Sequence, residues 1–413
     1  MQQKLSRYAL ITLSILVMSV YLPMLYQKVF VARTGRTHLF YSPVIKKFVF
    51  REMIKDHRFL TRDETGRDLD RKTFESLMPF IYYKNMELWG LLPFEIDGQS
   101  FDKDTIKANR QVIELKPRMI ADRFPQDEIY PLIESQPDQA LFIFPEDRFR
   151  ITDRMEFVNA DRNTVDEALS CVFTDALKDA GFKFPARLIA GKGTILKPFD
   201  EGYFVVDAAG AVFHIKRVRG KPLCVRTPIP ANLGIRSIRI SENRRKEFYG
   251  MLLTNDGKLF LISYDNYRLI PLPVDNYNPD TMNYKLIINP LYRTAVYSDK
   301  TMIYATAMTP DYKIIAGYKR AMQRSRQTPA KVFYSACFPF FVQIKDHTSN
   351  YMTFDLVLNG WKGFIGIGIS VIIYFIFVCV RRFDLKALWS DFVVIAFSGI
   401  YGLIAVAIVR PDP

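Results

Sequence analysis

The length, composition and charge of the chain exclude several classes of protein. Its 413 residues are 49% hydrophobic and 14% aromatic, which excludes a disordered or low-complexity chain. This length leaves room for two ordinary domains, or for one large β domain with membrane helices. The net charge is +14, but Lys and Arg are scattered without a long basic block. We therefore expect anionic lipid head groups, rather than nucleic acid, to account for the basicity.

The four cysteines do not form a recognisable motif. They are widely spaced, without C-x-x-C or C-x-x-C-H, at Cys171, Cys224, Cys337 and Cys379. The sequence therefore predicts neither a disulfide scaffold nor a covalent haem site, and we expect no cofactor.

Residues 1–30 are predicted to form a short cytoplasmic tip and an uncleaved membrane anchor. Lys4 and Arg7 precede an apolar run from Tyr8 to Tyr26, and the bulky residues that follow do not suit a signal-peptidase site. Because positive charges stay on the cytoplasmic side, we expect the amino terminus in the cytoplasm.

Residues 362–413 are predicted to form a hairpin of two transmembrane helices. Gly363–Val380 and Phe392–Val409 each contain eighteen residues without a charge, and a helix of that length spans about 27 Å. The loop between them is basic, with Arg381, Arg382 and Lys386. This pattern predicts a three-pass protein of the cytoplasmic (inner) membrane, with residues 31–361 on the extracytoplasmic, periplasmic side.

None of the three predicted spans contains Asp, Glu, Lys, Arg or His. Ionisable groups at membrane depth mark ion and proton paths, so the pattern argues against a pump or channel. Small residues recur at four-residue spacing, Gly366 with Ser370 and Ser398 with Gly402, which predicts close helix packing. The alternative is that Gly is simply common in membrane helices.

Residues 31–361 contain a repeated β-hairpin signal. In three segments a small polar residue is followed six positions later by an aromatic residue: Asp207 with Phe213, Thr254 with Phe260 and Ser298 with Tyr304. Each segment predicts a strand, a tight turn and a second strand. Weaker copies are Ser42 with Phe48, Ser335 with Phe341, the segment Leu141 to Ile151, and a turn at Asp97 and Gly98.

The spacing of the three clearest hairpins predicts a propeller-like domain. Steps of 47 and 44 residues match the period of a four-stranded blade, and the domain is long enough for about six or seven blades. The alternative is a β-sandwich or a pair of open sheets. One amphipathic helix is predicted between a Thr164–Glu167 capping box and Gly181, and a weaker one over Arg71 to Met78.

Catalytic motifs are missing from the sequence. H-E-x-x-H, G-x-S-x-G and the dinucleotide fingerprint are absent, and the segment 191–194 (GKGT) only partly matches a phosphate loop. We therefore do not expect an enzyme. Aromatic residues such as Tyr264 and Tyr267 would suit a carbohydrate- or peptide-binding face, with core packing as the alternative.

A repeated tetrapeptide suggests a metal or haem site. Ile-Lys-Asp-His occurs at 54–57 and at 344–347. If the domain closes on itself, His57 and His347 come together, with Asp56 and Asp346 orienting the two imidazoles. The alternative is a strand that runs into a polar turn in two repeats.

The order of these segments resembles an uncharacterised family of bacterial three-pass membrane proteins with a large extracytoplasmic repeat-rich domain. The resemblance spans the whole chain and is carried by GYFVVDAAGAVFHIKRVRGKP (202–222), TNDGKLFLISYDNYRLIPLP (254–273) and FYSACFPFFVQI (333–344). Members of that family are often encoded beside the ATPase and permease of ABC-type transporters. The resemblance therefore implies an accessory subunit, and it supplies no site residues.

The sequence thus predicts a noncatalytic accessory subunit of an ABC-type transporter. Its exported domain would bind cargo or a partner, while three helices in the lipid bilayer dock against the permease. One alternative is a stand-alone extracytoplasmic sensor or ligand-binding propeller. Another is a hydrolase whose site is assembled from scattered carboxylates.

Overall fold

The computed structural model describes residues 2–32, 34–55, 58–123, 128–344, 348, 350–381 and 388–409. The chain divides into two units. The helical unit comprises Met1–Arg36, Met53–Phe59 and Gln323–Pro413, and the β-rich unit comprises Thr37–Glu52 and Leu60–Met322.

Helices are concentrated at the two ends of the chain. The α-helices of the described residues are α1 (Gln2–Phe30), α2 (Arg71–Ser76), α3 (Tyr83–Leu88), α4 (Lys103–Ala108), α5 (Glu167–Asp179), α6 (Pro329–Cys337), α7 (Gly363–Val380), α8 (Trp389–Ser398) and α9 (Ile400–Ile408). Single 3-10 turns occur at Pro117–Met119, Ala121–Arg123, Ala231–Leu233 and Gln323–Ser325.

Strands fill most of the segment between these ends. They are β1 (His38–Tyr41), β2 (Phe48–Lys55), β3 (Arg58–Asp63), β4 (Phe94–Ile96), β5 (Gln99–Phe101), β6 (Gln111–Leu115), β7 (Asp147–Ile151), β8 (Met155–Asn159), β9 (Thr164–Asp166), β10 (Leu188–Gly191), β11 (Tyr203–Val206), β12 (Val212–Val218), β13 (Lys221–Arg226), β14 (Ile235–Ile240), β15 (Phe248–Thr254), β16 (Leu259–Ser263), β17 (Leu269–Pro271), β18 (Asn283–Ile288), β19 (Arg293–Ser298), β20 (Met302–Met308), β21 (Ile314–Ala321), β22 (Phe340–Gln343) and β23 (Asp355–Leu358). The prediction of a mainly β protein is confirmed.

The sheets are antiparallel and mostly built from neighbours in sequence. Two are four-stranded meanders, β10 to β13 and β14 to β17, and a five-stranded sheet has the order β21-β20-β19-β18-β6. Three-stranded sheets are β1 to β3 and β7 to β9, with two-stranded pairs β4–β5 and β22–β23. Two of the described sheets thus have the four strands of a propeller blade, while the others have five, three or two strands. A closed propeller of six or seven blades stays a prediction.

The predicted hairpins are confirmed at the positions where a polar side chain closes the turn. Asp207 accepts hydrogen bonds from the backbone N–H of Ala209 (2.9 Å) and of Ala211 (2.8 Å), between β11 and β12. Thr254 accepts one from Lys258 N–H (3.1 Å) between β15 and β16. Such side chains satisfy turn amides that the strands leave unpaired. The β19–β20, β1–β2 and β4–β5 hairpins are present as well.

Two weaker hairpin predictions are wrong. Ser335 lies in α6, which begins with Thr328 as N-cap and Pro329 at the first helical position, a strong start signal for a helix. In the segment Leu141 to Ile151, only β7 forms.

The predicted amphipathic helix is present as α5, but it begins later than expected. Residues Thr164 to Asp166 pair with β8 as strand β9, so Asp166 rather than Thr164 caps the helix and accepts from Leu169 N–H (3.0 Å). Gly181, at φ +85°, follows its carboxyl end. The Phe173 ring lies 4.8 Å from that of Phe157 in β8, so α5 packs on the sheet that contains β8. The weaker helix prediction is confirmed by α2.

Among the described residues of the helical unit, two helices, α1 and α7, are long and apolar enough to cross a membrane. The third predicted span, Phe392–Val409, is not one continuous helix. It divides into α8 and α9 at Gly399, whose φ of 59° and ψ of −128° suit glycine and few other residues. At about 1.5 Å per residue, each half reaches only about 15 Å.

The chain turns back between α8 and α9. A Cβ built on Gly402 would lie 3.1 Å from Cα of Ile395, which requires the two helices to pack side by side. The Arg7 side chain also contacts both Asp391, near the start of α8, and the carbonyl of Val409, just beyond α9. The prediction of a third span is therefore wrong: α8 and α9 form a re-entrant hairpin whose two ends lie together.

Candidate functional site

Within the β-rich unit, three sheets present their first strands to one cavity. The cavity has a volume of about 1160 Å³ and is lined by β7, β10 and β14, with Tyr130 and Phe184 at its wall. A neighbouring cavity of about 420 Å³ shares Tyr130 and continues along β10 and β14. Both volumes fall in or near the range of small-ligand sites.

Charged side chains of both signs line the larger cavity. Arg236 is held by Asp122 (3.0 Å) and Asp280 (2.6 Å), and Arg123 also binds Asp280 (2.7 Å). This network fixes the β14 side of the cavity. Because Arg236 already has two carboxylate partners, it serves to shape the wall rather than to attract an anion.

The smaller cavity includes the segment that partly matches a phosphate loop. A Cβ on Gly191 would lie 2.4 Å from the Tyr203 ring, and one on Gly193 would lie 3.0 Å from Pro131. Tyr203 in turn donates to the carbonyl of Pro131 (2.9 Å). The two glycines are thus explained by close packing against Tyr203 and Pro131, without a phosphate.

A buried ionic cluster lies beside Lys192, which lines the smaller cavity. The Lys197 ammonium is fully buried and contacts Asp200, Glu242 (3.0 Å) and the carbonyl of Lys192 (2.9 Å). The second oxygen of Glu242 is 3.9 Å from the Lys192 ammonium. Burial raises the pKa of Glu242 and lowers the pKa of Lys192, because a low dielectric disfavours both charges.

Glu201 links this cluster to His214. The Glu201 carboxylate accepts from Lys216 (2.7 Å) and Tyr264 (2.8 Å), and its backbone carbonyl lies 2.6 Å from His214 Nε2. The other ring nitrogen of His214 is 2.9 Å from the Tyr267 hydroxyl. Since the carbonyl only accepts, Nε2 carries the proton, and burial lowers the pKa of His214 to about 4.

The predicted metal or haem site is not tested by the structure. Asp56, His57, Asp346 and His347 lie outside the described residues. Among the residues that the structure does describe, no three His, Cys, Asp or Glu side chains are placed to hold a metal ion. His214 has both nitrogens engaged. Tyr264 and Tyr267 bind Glu201 and His214 and stack against Tyr249, so their role is in this cluster.

A second polar centre lies within the helical unit. Asp391 is fully buried and accepts two hydrogen bonds from Arg7, at 2.8 and 3.0 Å. Tyr8 (2.9 Å) and Tyr374 (3.0 Å) donate to the same carboxylate. The three predicted spans themselves contain no charged residue, and the ion pair lies just outside them, because Arg7 precedes Tyr8 and Asp391 precedes Phe392. Both charges flank apolar runs in sequence, and no local signal pairs them.

These features define the class of the protein as mainly β, with two helices in the described part of the chain that are long and apolar enough to cross a membrane. The chain belongs to the DUF4857 family, a domain of unknown function, whose sequence pattern matches residues 38–308. The expectation of an uncharacterised family is thereby confirmed. No curated protein matches the chain.

Solved structures offer only remote similarity. The β-propeller domain of Cps50 (Swd1) from Myceliophteria thermophila is 8% identical, with a TM-score of 0.24 over 48% of this chain, and this chain spans 57% of that one. The dihydro-heme d1 dehydrogenase NirN in complex with DHE is 11% identical (TM-score 0.22, 72% and 70% covered). A putative exported protein from Bacteroides fragilis is 9% identical (TM-score 0.15, 58% and 83% covered). Similarity at this level supports no conclusion about function.

Proposed function

We propose that the protein is a noncatalytic accessory subunit of a membrane transporter of ABC type. In this proposal α1 and α7 cross the cytoplasmic membrane, and the β-rich unit binds cargo or a partner protein on the extracytoplasmic side. The amino terminus is cytoplasmic, because Lys4 and Arg7 precede the first span.

The observation that carries the proposal is the apolar outer surface of the re-entrant hairpin. Phe397 on α8 is 80% exposed and Ile408 on α9 is 70% exposed, while Ile395 and Ala405 of the same hairpin are buried. Half-membrane helices need protein cover for the backbone where they turn. Within the chain, Pro339 and Ile367 cover one side of Gly399, and a permease would cover the outer side.

The cavity favours a binding role for the β-rich unit. Its lining combines aromatic rings with fixed charged groups, as ligand sites do. We propose that the sheets containing β7, β10 and β14 surround it in the manner of propeller blades. Both ring nitrogens of His214 form hydrogen bonds within the protein, and the sequence lacks the common catalytic motifs. Both observations support a noncatalytic role. A stand-alone ligand-binding protein is the second candidate, since the cavity alone would suffice for that function.

Photocrosslinking from the hairpin separates the two candidates. A photoreactive phenylalanine would replace Phe397 or Ile408 in the native host, with buried Ile395 as the matched control position. The accessory role predicts a product that contains a transporter permease at the exposed positions and none at 395. Lipid adducts alone, together with purification of the chain as a lone monomer in mild detergent, would favour the stand-alone candidate.

A further inference from the structure

The β22–β23 hairpin of the helical unit carries a row of exposed apolar side chains. Leu356 and Leu358 alternate along β23, and the same alternation extends back to Met352 and Phe354; all four are between 63% and 74% exposed. Asp355 lies between them and accepts from the Thr353 hydroxyl (2.8 Å). Successive side chains of a strand point to opposite faces, so Leu356 and Leu358 form an apolar face of β23. The opposite face, here called the polar face, has the exposed Asp355 beside the half-buried Val357.

The apolar face of this hairpin begins at the re-entrant helices. Leu358 is paired with Phe340 of β22, and directly paired residues share a face. The Phe340 ring lies 5.2 Å from the ring of Tyr401, and Tyr401 donates to the carbonyl of Phe340 (2.6 Å). The face that packs on α9 through Phe340 therefore continues, uncovered, through Leu358 and Leu356.

Exposed apolar side chains also occur in the sequence directly after β23, where α7 begins. Trp361 and Phe364 are each more than 70% exposed, and α7 begins at Gly363, five positions after Leu358. The Asn359 side chain donates to the carbonyl of Phe338 (2.7 Å), and Asn359 N–H donates to that of Pro339 (3.0 Å). These bonds hold the hairpin beside the start of the helix.

We infer that the apolar face of β22–β23 lies in the head-group boundary of the lipid bilayer on the side where α7 begins. The occupant is lipid because the apolar row of β23 is followed directly in sequence by the exposed side chains of Trp361 and Phe364 at the start of the apolar helix α7, and because the amphipathic ring of Trp favours the interface. Asp355 lies on the opposite face of β23 and is exposed. The inference rests on the anchoring of α7 in a bilayer, which belongs to the proposed function.

Spin-label accessibility in lipid nanodiscs tests this inference with the full chain. Single cysteines would be placed by Leu356→Cys on the apolar face, Asp355→Cys on the polar face, and Ile373→Cys on the exposed side of α7, after replacing the four native cysteines by Ser. We expect the label at 356 to behave like that at 373, accessible to oxygen and shielded from a water-soluble nickel chelate. The label at 355 should be several-fold more accessible to the chelate.

Each other result overturns a separate statement. A label at 356 that is as accessible to the chelate as the label at 355, while 373 stays shielded, would place the hairpin in water and overturn the inference alone. Protection of 356 from both reagents would mean that protein, a second copy in the disc, covers the face, and would also overturn it. Chelate access at 373 would overturn the membrane anchoring in the proposed function and this inference with it.

Discussion

Arg7 and Asp391 lie 384 positions apart in sequence and form a bidentate ion pair inside the helical unit. The pair joins α1 to the start of the re-entrant hairpin, and a third hydrogen bond from Arg7 reaches the carbonyl of Val409 (3.1 Å) at its end. One guanidinium therefore fixes both ends of the hairpin. A bidentate pair of this kind requires the planar guanidinium of arginine, which the single ammonium of lysine cannot replace.

Removal of one partner of this pair should be strongly destabilising. Asp391→Asn leaves Arg7 without its counter-charge, and breaking a buried pair costs about 3 to 5 kcal/mol. We expect a marked loss of resistance to unfolding by SDS in mixed micelles. The double variant Arg7→Met with Asp391→Leu should recover part of the loss. The exposed pair Lys46–Asp97 provides the control, since Asp97→Asn should change nothing measurable. If Asp391→Asn and Asp97→Asn reduced the resistance to unfolding equally, the Arg7–Asp391 pair would not act as a buried ion pair.

Two glycines of α7 make a matched pair for testing helix packing. A Cβ on Gly366 would lie 2.1 Å from the carbonyl oxygen of Ala336 in α6, whereas a Cβ on Gly368 meets nothing within 4 Å. Gly366→Ala should lower the free energy of unfolding by about 1 to 3 kcal/mol, and Gly368→Ala should leave it unchanged or slightly raised. The measurement is the midpoint of unfolding in mixed micelles. If Gly366→Ala and Gly368→Ala had the same unfolding midpoint, α6 would not approach α7 at Gly366.

The β-rich unit should lose stability in mild acid through His214. Its folded pKa of about 4 lies below the ordinary 6.5, so the unfolded chain binds the proton first. The stabilisation is complete above pH 6.5 and is lost as the pH falls toward 4, to a total of roughly 3 kcal/mol. Lys216 disfavours the protonated ring, while the carbonyl of Glu201 favours it.

Urea titrations of the full chain in detergent, followed by the circular dichroism of the strands, measure this dependence. Between pH 7.5 and 5 the midpoint of the wild-type chain should fall more steeply than that of His214→Gln, which starts lower because it loses the contacts with Tyr267 and Glu201. If the midpoints of the two chains fell with the same slope as the pH decreased, His214 would not be the source of the acid sensitivity.

Cys171 should report the side of the membrane on which the β-rich unit lies. It is exposed on α5, whereas Cys224 is half-buried and burial raises its pKa to about 12. In intact spheroplasts a membrane-impermeant maleimide should label Cys171, and Cys171→Ser should abolish the signal. The hydrogen bond to Asp175 (3.3 Å) raises the pKa of Cys171. Labelling should therefore quicken about tenfold per pH unit below that pKa. Labelling only after lysis would place the unit in the cytoplasm.

The parts of the fold that were predictable depend on local chemistry. The hairpins at Asp207 and Thr254 carry both the strand pattern and the side chain that closes the turn, within a dozen residues. The α6 helix was also detectable, since Thr328 and Pro329 mark its start, but the aromatic offset at Ser335 favoured a hairpin. The place of β6 was not predictable, because it pairs with β18 from Leu115↔Tyr284 to Gln111↔Ile288, far away in sequence.

The polar centres could not be found from sequence for the same reason. Asp391 directly precedes an apolar run, so a hydropathy window treats it as a flank, and its partner Arg7 lies in another helix. The Lys197–Glu242 contact likewise joins two loops with no motif. The sequence did not show that the helix ends at Gly399, because glycine is frequent in continuous membrane helices. Only the backbone conformation, with a φ of 59°, identifies Gly399 as the break between α8 and α9.

The side of the membrane reached by the carboxyl terminus tests the central claim most directly. The claim is that α1 and α7 cross the bilayer and α8–α9 returns to the side from which it starts. Green fluorescent protein would be fused after Pro413; it becomes fluorescent in the cytoplasm but not after export through the general secretion pathway. Alkaline phosphatase would be fused at the same position in a parallel experiment. We predict a fluorescent first fusion and an inactive phosphatase. A dark first fusion with an active phosphatase would require a third crossing and would contradict the re-entrant hairpin.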